Sequence, residues 1–239
     1  MKLLQLAPIV LLAAVIPSSA GEQRGHYPPL ADYMLPHETE VALAGSAAPA
    51  HISGGATIKV LTASGYQVGR KGDNGFVCMV MRGWTAPTYT PVELRGLVYD
   101  ASVRAPICFD PEAARTVMPY YELRSKLGMA GQTPDQITRA VEGAYKRGDL
   151  PKRERVSFAY MWSADQHLGP GIGHWHPHMM VFAPNYRNAA LGNSEFGQLL
   201  PFVSDDGGTP FAVVVIPVDD KLAIKAAGDA ANGPCCFPK

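Results

Sequence analysis

Charged side chains are scarce, 18% of a 239-residue chain, and the 21 basic residues are balanced by 21 acidic ones. A chain without excess positive charge has no field to hold nucleic acid, and no nucleic-acid partner is expected. Long apolar runs are missing too. The most apolar stretch, Leu3 to Ile16, is broken by Gln5 and Pro8 and falls short of the roughly 20 residues a membrane-crossing helix needs, so no membrane span is expected in the mature chain. There is no internal repeat, heptad seam or low-complexity tract. Catalytic signatures are equally sparse: there is no G-x-S-x-G elbow, no H-E-x-x-H helix and no C-x-x-C-H haem attachment. Gly169-Pro170-Gly171-Ile172-Gly173 lacks the downstream Gly and Lys of a phosphate loop.

What is present begins at the N-terminus. Lys2 supplies a short positive region, Leu3 to Ile16 the apolar segment, and Pro17-Ser18-Ser19-Ala20 the small residues that signal peptidase reads. Residues 1–20 are therefore expected to be a cleaved signal peptide, and the mature chain to be secreted or periplasmic. That compartment permits disulfides. Of the four cysteines, Cys78 lies in the apolar run Phe76 to Met81 and Cys108 in Ile107-Cys108-Phe109, and these two are expected to pair. Closing a loop of about 30 residues is worth roughly 3 to 4 kcal/mol in the chain-entropy description. Cys235 and Cys236 are adjacent, a geometry that strains a bond between them.

Residues 21–55 are rich in Pro and Ala and read as a loosely structured lead-in, with His26-Tyr27-Pro28-Pro29 lying against the domain surface. Residues 56–239 read as a single α+β domain. Thr57 to Leu61, Tyr66 to Val68 and the Cys78 segment are separated by Ser64-Gly65 and Asp73-Asn74-Gly75, the punctuation of an antiparallel meander. Asp110-Pro111-Glu112 is a helix start, with a bend or restart expected at Pro119 and a stop at Gly128. Thr133-Pro134-Asp135-Gln136 carries a capping box, and Ile137, Ala140, Val141, Ala144 and Tyr145 share one helical face that ends at Gly148. Val156 to Trp162 alternates with period two, Trp175 to Phe182 is extended, and Phe211 to Val218 is a continuous apolar strand. The expected fold is thus a mainly antiparallel sheet with two helices between an N-terminal β-meander and C-terminal strands.

One segment has the inventory for chemistry. His174, His176 and His178 alternate along His174-Trp175-His176-Pro177-His178-Met179-Met180, and on an extended backbone they share a face with Met180. Imidazole suits zinc and copper, and thioether suits copper(I), so these three histidines are the candidate metal ligands. The outer pair is about 13 Å apart in a straight strand, so a site needs a bend at Pro177 or a distant ligand such as His167, Asp165, Asp205 or Asp206. The competing reading has each imidazole bonded to a backbone carbonyl at a sheet edge or cleft. A cupin-type metal box is excluded, because Val181 and Phe182 stand where its glutamate belongs.

Gly55-Ala56-Thr57, Asn74 to Cys78, Cys108-Phe109-Asp110, and Pro177 to Met180 with Ala183-Pro184 together resemble a family of uncharacterised exported bacterial proteins. The resemblance implies equivalents of His174 and Pro177-His178, but not of His176 or of Cys235-Cys236, and it implies no activity. Two function classes follow. The leading one is an exported non-catalytic or ligand-binding domain. The alternative is a zinc- or copper-dependent enzyme or copper-handling protein using His174 to His178.

Overall fold

The computed structural model describes residues 27–86, 96–170, 172–194, 198–204 and 206–227. Residues 1–20, expected from the sequence to be a signal peptide, Asp205 and the Cys235-Cys236 pair lie outside them. The described strands are β1 (Thr57–Thr62), β2 (Gly65–Arg70), β3 (Val77–Met81), β4 (Ala105–Phe109), β5 (Ser157–Met161), β6 (His178–Phe182), β7 (Phe202–Val203) and β8 (Val213–Pro217). They form one sheet in the order β2-β1-β3-β4-β5-β6-β8-β7. Every pairing is antiparallel except β1 with β3, which run parallel through Thr57 opposite Val77 and Ile58 opposite Cys78. The α+β class holds, but β1 to β3 are a hairpin with a parallel neighbour, not a plain meander. Residues 71–76 cross the N-terminal end of β1, where the Asp73 N–H bonds the Gly55 carbonyl, so that β3 joins the other edge of β1.

Among the described residues five α-helices flank this sheet: α1 (His37–Gly45), α2 (Ala50–Ser53), α3 (Pro111–Thr116), α4 (Met118–Met129) and α5 (Pro134–Arg147). Three, not two, lie between the strand groups, and their caps follow the local chemistry. The Asp110 carboxylate accepts from the Ala113 backbone N–H and Pro111 opens α3. The chain breaks at Val117 and restarts as α4, one residue ahead of Pro119. The Thr133–Gln136 capping box of α5 is fully formed, and Gly148 ends the helix in the left-handed conformation at φ 79°.

The lead-in is where expectation and structure part. Residues 37–53 form α1 and α2, which cover the sheet face carrying Ile58, Val60, Cys78, Val80 and Cys108. A run of alanines needs little space, so these helices sit close against the strands. Glu40 and Arg82, both fully buried, pair at 2.5 Å, while Arg82 also donates to the carbonyls of Tyr33 and Val80 and Glu40 accepts from the Leu61 N–H. A buried ion pair with its remaining groups satisfied holds its geometry, and removal of one partner strands the other charge.

On the opposite face, α3 to α5 pack over Met79, Met81, Ile107, Phe109, Ala159, Phe182 and Val215. Strand β5 alternates as expected: Ser157, Ala159 and Met161 are buried on the side of this main core, while Phe158 and Tyr160 are half-buried on the other side. Cys78 and Cys108 stand directly opposite each other in the β3–β4 ladder and form the expected disulfide, with Cα atoms 3.9 Å apart. Among the described residues no helix is long and apolar enough to cross a membrane.

Candidate functional site

The histidine segment occupies the approach to β6 and its first residue. Leu168 and Gly173 close the preceding turn through a 2.8 Å backbone bond, and the Gln166 amide holds the carbonyls of Trp175 and His176. Within this frame the three imidazoles do not converge. His174 is exposed, with Nδ1 at 3.4 Å from the Gln166 carbonyl. His176 pairs with Asp220 at 2.6 Å. His178 is 4% exposed, donates from Nδ1 to the His176 carbonyl at 2.8 Å and lies edge-on to Trp175. Burial, then the neighbouring His176, holds its pKa down at about 4, against the opposing pull of that hydrogen bond, so the ring is neutral at physiological pH.

The distant ligands that sequence suggested are also engaged elsewhere. His167 Nδ1 meets the Ser102 carbonyl at 3.2 Å, Asp165 accepts from the Ala226 N–H, and Asp206 is buried in the turn before β8. Among the described residues no group of three His, Cys, Asp or Glu side chains is arranged to hold a metal ion. The shared face required three residues in one straight strand, and β6 begins only at His178. Pro177, which offers no N–H, ends the ladder there: its carbonyl accepts from Val218 and the chain upstream turns away.

A second site was not read from the sequence as a site. Three single-turn 3-10 helices, Leu30–Tyr33, Gly83–Thr85 and Gly96–Tyr99, meet the C-terminal end of α4. Tyr27, Tyr33, Trp84 and Tyr99 line a cleft of about 80 Å³ between them, with Gly128, Met129 and Gly131 on its helical side. Tyr27 stacks on Tyr99 with ring centroids 3.4 Å apart, and Tyr33 lies tilted on Trp84 at 4.4 Å. The hydroxyls are tied to backbone: Tyr33 donates to the Tyr99 carbonyl at 2.7 Å and Tyr99 donates to the carbonyl of Gln132. Two glycines make the approach possible. A Cβ at Gly83 would stand 2.0 Å from the Leu97 carbonyl oxygen, and one at Gly128 would meet the Trp84 ring at 2.5 Å.

The sequence signal for this cleft was the Tyr27-Pro28-Pro29 cluster, expected against the domain surface; Tyr27 and Pro28 in fact form one wall. Leu30 and Tyr33 continue that segment, and the remaining walls come from residues 57 to 104 positions after Tyr27, which no local pattern joins. The lining has no charged side chain, its rings pack on one another with Tyr33 and Trp84 each 1% exposed, and the recess has room only for a small guest. Comparison with protein-family models, curated proteins and solved structures finds no match to this chain. Fold and cleft together define an α+β domain with a cross-strand disulfide and an aromatic recess.

Proposed function

We propose that this is an exported, non-catalytic ligand-binding protein whose site is the cleft of Tyr27, Tyr33, Trp84 and Tyr99. The observation that carries the reading is the meeting of three segments at one recess, the first bringing Tyr27 and Tyr33, the others Trp84 and Tyr99, with the Tyr33 and Tyr99 hydroxyls tied to backbone carbonyls. Export is supported by the leader-like first 20 residues and by the disulfide. The resemblance to exported bacterial proteins points the same way. The histidines are read as structural, since each imidazole has a protein partner of its own.

The test is a thermal-shift screen of small ligands, covering organic cations, saccharides and aromatic amines, on the full exported protein. A ligand held at about 100 times its Kd adds roughly 2.7 kcal/mol, which raises Tm by about 5 to 10 °C in a domain of this size. Such a shift, lost in Tyr27→Ala, supports the assignment. No shift with any class, or a shift that Tyr27→Ala leaves intact, overturns it.

A further inference from the structure

The two ends of the sheet differ in character. At one end, where β3 finishes and β4 starts, Trp84 and Tyr99 frame the aromatic cleft. At the other, β5 and β8 begin and β6 finishes, with Ser157 opposite Phe182 and Phe182 opposite Val213. The chain that feeds β5 there is basic. Lys146 and Arg147 close α5, and Lys152 and Arg155 precede the strand, all of them exposed. Arg187, also exposed, joins them from the loop after β6: a Cβ on Gly208 would stand 2.7 Å from its guanidinium, so it lies on the turn that leads to Phe211. Ring contacts hold these pieces together. Tyr145, in the last turn of α5, meets Phe211 edge-on at 5.4 Å, and the guanidinium of buried Arg153 lies 5.3 Å from the same ring and 5.6 Å from that of Phe182.

The acids near this end are mostly occupied. Asp110 caps α3, Glu112 pairs with Arg115, Asp149 pairs with Arg147, and Asp206 is buried. Glu154 is the exposed carboxylate between Lys152 and Arg155. Among the described residues, none of Lys152, Arg155 and Arg187 forms an ion pair. The same end carries apolar surface. Val156, next to Arg155, is 71% exposed, the highest value of any large hydrophobic side chain described, and Tyr186, next to Arg187, is 39% exposed.

We propose that this end of the sheet docks on an anionic phospholipid bilayer, through Lys152, Arg155 and Arg187 with Val156 entering the interface. The proposal is independent of what the cleft binds. The chain as a whole is neutral, but charges more than about 8 Å apart are screened at physiological salt, so acids elsewhere do not cancel this local excess. Cations without a protein counter-ion meet lipid phosphates at no cost in broken ion pairs, each gaining about 5-fold in affinity near the charged surface. The apolar neighbours decide for a bilayer over a soluble polyanion. A polyanion would engage the cations and leave Val156 in water, whereas a bilayer interface also buries its side chain and suits a Tyr at headgroup level. Arg153, clamped on its rings, fixes the backbone that presents residues 152 and 155, so less order has to be imposed on docking. In this orientation the aromatic cleft, at the opposite end of the sheet, faces away from the membrane.

The test is co-sedimentation of the full exported protein with vesicles of phosphatidylglycerol and phosphatidylcholine in equal parts, against vesicles of phosphatidylcholine alone. Binding is expected to the anionic vesicles and not to the neutral ones, with release as sodium chloride is raised to about 0.5 M. Lys152→Gln, Arg155→Gln and Arg187→Gln should each weaken it about 5-fold, whereas Lys221→Gln, beyond the far end of β8, should leave it unchanged. Val156→Ser should weaken it about 3-fold without altering the salt dependence. All these positions are exposed, and circular dichroism checks that the variants stay folded. Absence of sedimentation, equal binding to the neutral vesicles, or binding that the Gln variants leave intact overturns the proposal. Soluble polyphosphate bound as tightly as the vesicles, with Val156→Ser without effect on either, overturns it in favour of a soluble polyanion.

Discussion

His178 is the residue whose chemistry most clearly departs from its ordinary behaviour. Folded, its pKa is held at about 4 by burial; in the unfolded chain it returns to 6.5. Between those values the unfolded state takes up a proton that the folded state refuses, so stability is fully present above 6.5 and falls as the pH drops toward 4. The decline is about 1.4 kcal/mol per pH unit and about 3 kcal/mol in all. Urea unfolding at neutral pH and near pH 4.5 should show this loss in the wild type and a shallower dependence in His178→Phe; parallel pH profiles would refute the assignment. The sequence flagged His178 for its type and company, and it does sit at an informative place. What alternation could not supply was the start of the strand. His174 and His176 precede the ladder, so their directions are set by the turn at Gly169 to Gly173 and by Asp220, 44 residues away from His176.

Among the elements, α1 shows how much weight one side chain can carry. It has little amphipathic pattern of its own, and Glu40 is the only charged residue it buries. Replacing Glu40 by Ala leaves the Arg82 guanidinium in the core with two backbone carbonyls and no counter-charge. The expected loss is about 3 to 5 kcal/mol in chemical denaturation, against about 0.5 kcal/mol for Glu38→Ala on the exposed side. A Glu40→Ala midpoint within error of wild type would show that the pair is not what anchors this helix. The helices that were legible, α3 to α5, announce themselves through Asp110, Pro111, Thr133, Gln136 and Gly148, whose side chains or backbone act within a few residues. Helix α1 was not legible, because a proline-flanked, alanine-rich stretch without side-chain caps becomes ordered only when Arg82 and the sheet are there to meet it. Strand β5 gave a correct period, and the structure turns Ala159 and Met161 to the α3–α5 layer and Tyr160 to the cluster under α1 and α2.

At the scale of the whole molecule, the disulfide joins β3 and β4, the third and fourth of the eight strands in the sheet. Both cysteines are fully buried, with helices packed on each side of the ladder. A Cys78→Ala, Cys108→Ala double variant should lose about 3 kcal/mol, read as a lower urea midpoint with a somewhat steeper slope, since the bridge closes a loop of about 30 residues and without it the unfolded chain is less compact. An unchanged midpoint would mean that the cross-link adds nothing to the hydrogen-bonded ladder. This pairing was readable because export chemistry and two apolar runs both pointed to it. The aromatic cleft was not, because its walls are assembled by the sheet and not by any one segment. The order β2-β1-β3-β4-β5-β6-β8-β7 has a kinetic corollary. Each of β3, β4, β5, β6 and β8 docks on an edge already exposed by an earlier strand, and the short β7 waits only for β8. No strand must be threaded between two partners that have already met. A chain emerging N-terminus first from a ribosome or a translocation pore can therefore lay down its sheet in the order of arrival, with the cross-link available as soon as β4 appears and the later strands added to a clamped template.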